Sequence, residues 1–283
     1  MENINLDQSQ KQLISDNLES QNLSQKINCL EDLEPLFQRL INTANIYVQI
    51  YVSKRNSEEY VESFKCEKYH NIQINFKHFD FTKNKLLFEW MLKLENLICL
   101  DFYLREIDIQ QQDIQDLTQN LMKLKKLNDL TLDLVLNKLS GLSGIYLAEG
   151  LSYLTNLQML NIDLGATSLG DEGVAKLAKE LEKITNLNTL RLSIYSNHIT
   201  NLGASELGIS LSKYVNLKTL DLDLSSNKIT QSQLDLAQNI SLCPKLSNFI
   251  LTIYGNDFEN NYDLRRPLLK SKSLVEFILV QQF

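Results

Sequence analysis

The chain has 283 residues, 43% hydrophobic and 22% charged, an ordinary globular composition with ample material for a core. Its formal net charge of −7 argues against a general nucleic-acid-binding surface or one suited to an anionic membrane. No apolar run approaches the roughly 18 residues a membrane span needs, and the cysteines Cys29, Cys66, Cys99 and Cys243 show no C-x-x-C spacing, so a reduced, cytoplasmic protein is expected.

Residues 1–27 are rich in Gln, Asn, Ser and Asp and are expected to form a solvated polar tail, either disordered or holding a loose helix such as Gln10–Leu18. The opening MENINLDQSQ is acidic and polar, unlike a secretory or mitochondrial leader. Residues 28–93 read as an N-terminal cap followed by degenerate units. Cys29–Asn42 places Leu30, Leu33, Leu36, Phe37, Leu40 and Ile41 on one face and predicts an amphipathic capping helix. Asn45–Val52 predicts a strand and Glu58–Tyr69 a short helix. Asn71–Phe79, alternating at Ile72, Ile74 and Phe76, predicts the next strand, and Lys83–Lys93 a helix.

Residues 94–283 carry a repeat. Leu97, Leu127, Leu157, Leu187, Leu217, Leu246 and Leu274 follow one another at steps of 30, 30, 30, 30, 29 and 28 residues. A fixed period of this size marks a solenoid and favours one elongated body over two domains. Each unit opens with L-x-x-L-x-L-x-[IL], as in Leu187, Leu190, Leu192 and Ile194. Apolar residues at alternate positions predict a strand with one buried face, near 98–105, 128–135, 158–165, 188–195 and 218–225. The second half of the unit changes period: Leu147 and Leu151, or Leu177 and Leu181, stand four apart on one helix face. Strand, turn, helix and return cannot bury an apolar face alone, so neighbouring units must stack into one core. Strands pack more closely than helices, which predicts a curved α/β solenoid with a parallel sheet on the concave side. The last unit degenerates: Asn260–Lys270 is a poor helix interrupted by Pro267, and Ser273–Phe283 reads as a final strand. An apolar last strand with an unpaired edge is a liability that proteins cover, so the edge is expected to be covered by the Asn260–Lys270 loop or by an assembly contact with a partner or a second copy.

Between strand and helix run Asn137, Asn197, Asn227 and Asn256, with Thr167 in the same register. A buried Asn at that turn can satisfy backbone groups that leave the sheet. These units resemble leucine-rich repeats of the ribonuclease-inhibitor-like subclass, and Gly170–Gly173 followed by VAKLAKEL resembles its entry into the helix. The resemblance covers residues 71–283. It departs from the family pattern by two residues between the strand leucines and the Asn, which are expected to lengthen the strand. The fold so implied is a horseshoe that serves inhibitors, GTPase activators, sensors and scaffolds alike.

Strand residues that alternate with the buried ones should line the concave face. They form three columns. Asp101, Thr131, Asn161, Arg191, Asp221 and Ile250 make the first, and Tyr103, Asp133, Asp163, Ser193, Asp223 and Thr252 the second. The third is Arg105, Val135, Gly165, Tyr195, Ser225 and Tyr254. Acidic residues with tyrosines beside them suit a protein partner bearing a basic patch. Paired carboxylates can also do acid–base work, but that needs an enclosed pocket. Only His70, His78 and His198 are available as imidazoles, and no metal-ligand spacing or phosphate-binding glycine motif occurs. The expectation is therefore a non-enzymatic, protein-binding scaffold or adaptor without cofactor. Two other readings are a structural subunit of a large assembly and, through Arg105 near a strand end, an activator of a small GTPase.

Overall fold

The protein, seen in a computed structural model, is described at residues 23–27, 47–53, 71–77, 97–230, 233–257, 268, 271 and 273–280. Ten strands form a single parallel sheet whose spatial order is the chain order. They are β1 (Leu23–Ile27), β2 (Tyr47–Ser53), β3 (Asn71–Lys77), β4 (Cys99–Tyr103), β5 (Asp129–Asp133), β6 (Met159–Asp163), β7 (Thr189–Ser193), β8 (Thr219–Asp223), β9 (Asn248–Thr252) and β10 (Glu276–Val280). Strand β1 occupies the end of the stretch read as a polar tail and pairs with β2. Helices α1 (Gln111–Leu121), α2 (Gly141–Ser152), α3 (Gly170–Leu181), α4 (Asn201–Leu211) and α5 (Gln233–Ile240) fill the connections between β4 and β9. Each packs on the next. The expected helices Cys29–Asn42, Glu58–Tyr69 and Lys83–Lys93 lie outside the described residues, as does Asn260–Lys270 apart from the buried Leu268.

Each connection from β4 to β9 passes to the adjacent strand through a helix, and one handedness for these crossovers puts the five helices on one face of the sheet. The burial pattern agrees. Leu130, Leu132, Leu160, Ile162, Leu190, Leu192, Leu220 and Leu222 point to the helices, as do Leu117, Leu147, Leu177 and Leu207 from the other side. One core runs from Leu97 to Leu268, so each of these units is held chiefly by its neighbours.

The turn after each strand is held by the asparagine column. Asn137 Oδ1 accepts from the N–H groups of Ile107 (3.2 Å) and Ile109 (3.1 Å) in the preceding unit, while Nδ2 donates to the carbonyls of Leu104 (2.7 Å) and Leu134 (2.8 Å). Asn227 repeats this on Asn197, Ile199, Ile194 and Leu224. Asn256 Oδ1 accepts from Ile229, and its Nδ2 donates to Leu224 and Ile253. The column is interrupted at Thr167, whose hydroxyl instead donates to the Leu164 carbonyl at 2.6 Å. Thr and Asn are close in volume, and an Asn here could accept from the backbone of the preceding turn. Thr167→Asn is expected to raise stability by about 1 kcal/mol, read as a higher urea midpoint.

A second ladder closes the opposite end of the units. Asn156, Asn186 and Asn216 donate from Nδ2 to the carbonyls of Lys125 (2.7 Å), Thr155 (2.9 Å) and Thr185 (2.8 Å), each in the unit before. Helix starts are tied together in the same way. Asp171 in α3 accepts from the Thr200 N–H (2.7 Å), the Thr200 hydroxyl (2.6 Å) and the Gly203 N–H (3.1 Å), and so caps α4 from outside.

Candidate functional site

The sheet face opposite the helices is open, and the strand register places three columns of side chains on it. The middle column holds Asp101, Thr131, Asn161, Arg191, Asp221, Ile250 and Ile278. The column at the strand ends holds Tyr103, Asp133, Asp163, Ser193, Asp223, Thr252 and Val280. A third column, at the strand starts, was not among those expected: Cys99, Asp129, Met159, Thr189, Thr219 and Asn248. Its Asp129 accepts from the Cys99 thiol at 3.2 Å and adds another carboxylate to the face.

The predicted column from Arg105 to Tyr254 requires correction. The strands stop two residues short of it. Backbone bonds between units do continue beyond the strands, from Leu104 to Asp133 and from Glu106 to Val135. The following residue then takes a left-handed backbone at Glu106, Leu136, Ala166, Ser196, Ser226 and Gly255. The two extra residues per unit therefore form a turn rather than a longer strand. Val135 and Ser225 are fully buried in it, whereas Arg105, Tyr195 and Tyr254 reach solvent to different degrees.

Asp133, Asp163 and Asp223 are shared between turn and surface. In each, Oδ1 accepts from the N–H two residues on: Val135 (3.1 Å), Gly165 (3.0 Å) and Ser225 (2.9 Å). This is an Asx-type closure at the strand exit. The other oxygen is left for the open face. Arg105 uses it twice: Nε lies 3.1 Å from Asp133 Oδ2, and Nη2 lies 3.8 Å from Asp163 Oδ2. One guanidinium thus lies across two strands, held by carboxylates about 4.8 Å apart in sheet spacing.

Tyr195 completes this cluster. Its ring lies over Gly165, where a Cβ would come within 2.0 Å of the ring Cε1. Only a residue without a side chain leaves room for the ring beside Asp163. Burial raises the Tyr195 hydroxyl above its ordinary pKa, and the charge of Asp163 adds to that. Burial also raises the Asp163 carboxyl, and the bonds from Gly165 and Ser193 only partly oppose it. Arg105 loses some solvation, but Asp133 more than compensates and holds its pKa high. Elsewhere on the face, burial raises Asp221 against the pull of Arg191, and raises Asp101 against a hydrogen bond from Thr131.

The structure therefore brings Arg105, Asp133, Asp163 and Tyr195 into one cluster, with Asp223 close enough to act on the tyrosine. Tyr103 neighbours Asp133, and Arg191 neighbours Asp221. Tyr254 stands apart from this cluster, in the turn after β9. Among the described residues no group of three or more His, Cys, Asp and Glu side chains could hold a metal ion. No described helix is long and apolar enough to cross a membrane. Cys99 and Cys243 are buried, and burial pushes the Cys243 thiol up to about 12. On the helical side, Thr118, Met122, Tyr146, Tyr153 and Glu180 line a cleft of about 550 Å³, where Lys176 and Lys183 pair with Glu180. No protein-family model matches the chain, and no curated protein matches its sequence.

The turn bond separates two roles of Asp163. Asp163→Asn keeps an acceptor for the Gly165 N–H and removes the charge, so stability at pH 7 should be unchanged or slightly higher. Asp163→Ala leaves that N–H without its partner and should cost about 1–2 kcal/mol. The pH dependence has a definite sign. A carboxyl whose pKa is raised by folding binds its proton more tightly in the folded state, so stability rises as pH falls towards the unfolded pKa. Asp101, Asp163 and Asp221 all act in this direction. Thermal melts from pH 7 down to about 4 should show a smaller rise with acid for Asp163→Asn than for the unaltered chain.

Proposed function

We propose that this chain is a curved leucine-rich-repeat protein of the ribonuclease-inhibitor-like kind, and that it binds a protein partner with a basic patch through its open sheet face. Three features support the fold assignment. They are the repeat of about 30 residues, a parallel sheet ordered as the chain, and the turn asparagines Asn137, Asn197, Asn227 and Asn256, whose amides span two units. Adjacent strands sit about 4.8 Å apart and adjacent helices about 8–10 Å, so a stack of such units bends with the sheet inside.

The binding reading rests on one observation: the strand-end carboxylates already hold a guanidinium, that of Arg105. The turn takes one oxygen of each aspartate and presents the other, so the face repeats a guanidinium-accepting group from unit to unit. The role is non-enzymatic, since the carboxylates stand on an open face rather than in an enclosed pocket. Arg105 acts as an internal occupant that competes with the arginine of a partner.

The test is affinity capture from native extract at low and high salt, with partners identified by mass spectrometry. Asp133→Asn with Asp163→Asn preserves both turn acceptors and should abolish capture of the salt-sensitive partners. Arg105→Ala frees the carboxylates and should strengthen that capture. Recovery of the same partners in the same amounts from all three proteins would sink the proposal.

A further inference from the structure

The open face changes chemistry between β8 and β9. Through β8 its middle and end columns are polar, finishing at Asp221 and Asp223. The next two strands present Ile250, Ile278 and Val280, and register places Ile250 beside Asp221 and Ile278 beside Ile250. Ile278 is 43% and Val280 40% exposed, at positions where the units through β8 carry Asp, Asn, Arg, Ser, Thr or Tyr. Tyr254, 42% exposed, stands in the turn that follows β9. Singly exposed apolar residues are ordinary, but adjacent ones in register on a sheet face mark a contact.

We infer that β8, β9 and β10 form a bipartite docking site for a segment of another protein that carries apolar side chains beside Arg or Lys. The apolar side chains would cover Ile250, Ile278 and Val280, and the basic ones would meet Asp221 and Asp223 one to two strands away, about 5–10 Å. Charge selects this occupant. A second copy of the chain would bring Asp221 and Asp223 against their own kind, and an anionic bilayer would meet the same repulsion. A basic, apolar segment is the one that satisfies both halves. This inference rests on the reading of the open face as a protein-binding surface and assigns it a second, more apolar part.

The test uses fluorescence anisotropy with three labelled 14-residue peptides: one alternating Leu and Arg, one with Ser for Leu, and one with Glu for Arg. The Leu/Arg peptide is expected to bind at least about tenfold more tightly than either control. Ile278→Thr with Val280→Thr keeps β-branched residues in the strand and should weaken that peptide about tenfold while leaving the Ser/Arg peptide unchanged. Asp221→Asn with Asp223→Asn keeps the Ser225 turn acceptor and should remove the salt dependence. Circular dichroism melts confirm that each variant is folded. Equal binding of the Leu/Arg and Ser/Arg peptides, or indifference to the Thr pair, would overturn the inference. If binding responds to Asp133→Asn with Asp163→Asn but not to changes in β8–β10, the inference falls and the acidic-face reading stands. If no aspartate variant matters, both fall. Dimerisation that the Thr pair abolishes, without peptide binding, would assign the patch to a second copy and also overturn it.

Discussion

Asn197→Leu is expected to lower the unfolding free energy by about 4 kcal/mol, among the largest losses a single substitution in this chain can cause. Asn197 is fully buried. Its Oδ1 accepts from the N–H groups of Thr167 (3.3 Å) and Leu169 (3.0 Å) and lies 3.0 Å from the Thr167 hydroxyl. Its Nδ2 donates to the carbonyls of Leu164 (2.7 Å) and Tyr195 (3.0 Å). Leucine has the same branching and number of side-chain heavy atoms but offers none of these groups. The Thr167 and Leu169 N–H groups would then be buried without this acceptor, and each such group costs about 1–3 kcal/mol. Because units hold one another, the loss falls on two turns at once, including the one that carries Tyr195. A urea titration should show the midpoint fall sharply. The control is Asn186→Leu in the other ladder, where the bond to Thr155 is exposed to water and the loss should stay below about 1 kcal/mol. Equal losses in the two variants would show that the buried column is not what fixes the turns.

The contrast between Asn197 and Asp163 shows how far the residues alone could be read. The asparagine column was legible because its spacing matches that of the leucines, and a buried amide at a chain reversal has few other uses. The strands were legible because Leu at alternate positions has one physical reading. The strand ends were not. Nothing in Tyr195-Ser196 or Val135-Leu136 signals a left-handed backbone of the kind that Gly255 signals at the equivalent place. The extra residues therefore read as strand, and Val135 and Ser225 as surface. The Asx role of Asp133, Asp163 and Asp223 did have a signal, Asp-Leu-x at the same point of three units. It was masked by a second plausible use of the same carboxylates on the face. The pairing of Arg105 with Asp133 and Asp163 depends on how far a long side chain folds back from the turn, which no spacing rule contains. Gly165 is explained only once the Tyr195 ring is seen lying over it.

Gly173→Leu is expected to cost about 3 kcal/mol and to loosen the face on which the aspartates stand. Gly173 in α3 meets Gly141 in α2, where a Cβ would come within 3.0 Å of the Gly141 Cα and 3.3 Å of the Leu169 Cβ. Both obstacles are backbone or first side-chain atoms, so nothing there can swing aside. Alanine needs a shift of only a few tenths of an ångström and gains about 1 kcal/mol in helix propensity, so Gly173→Ala should be close to neutral. Leucine adds three further carbons, and the two helices must move apart. The consequence reaches the other side of the sheet because α2 and α3 belong to the units of β5 and β6, which carry Asp133 and Asp163. Arg105 can bridge those carboxylates only at the spacing of a paired sheet. Hydrogen exchange should therefore quicken at the Leu134 and Leu136 amides, which donate to Asp163 and Gly165, as well as in the two helices. Faster exchange confined to α2 and α3 would mean that the sheet keeps its spacing without the helices. The glycines would then serve helix packing alone.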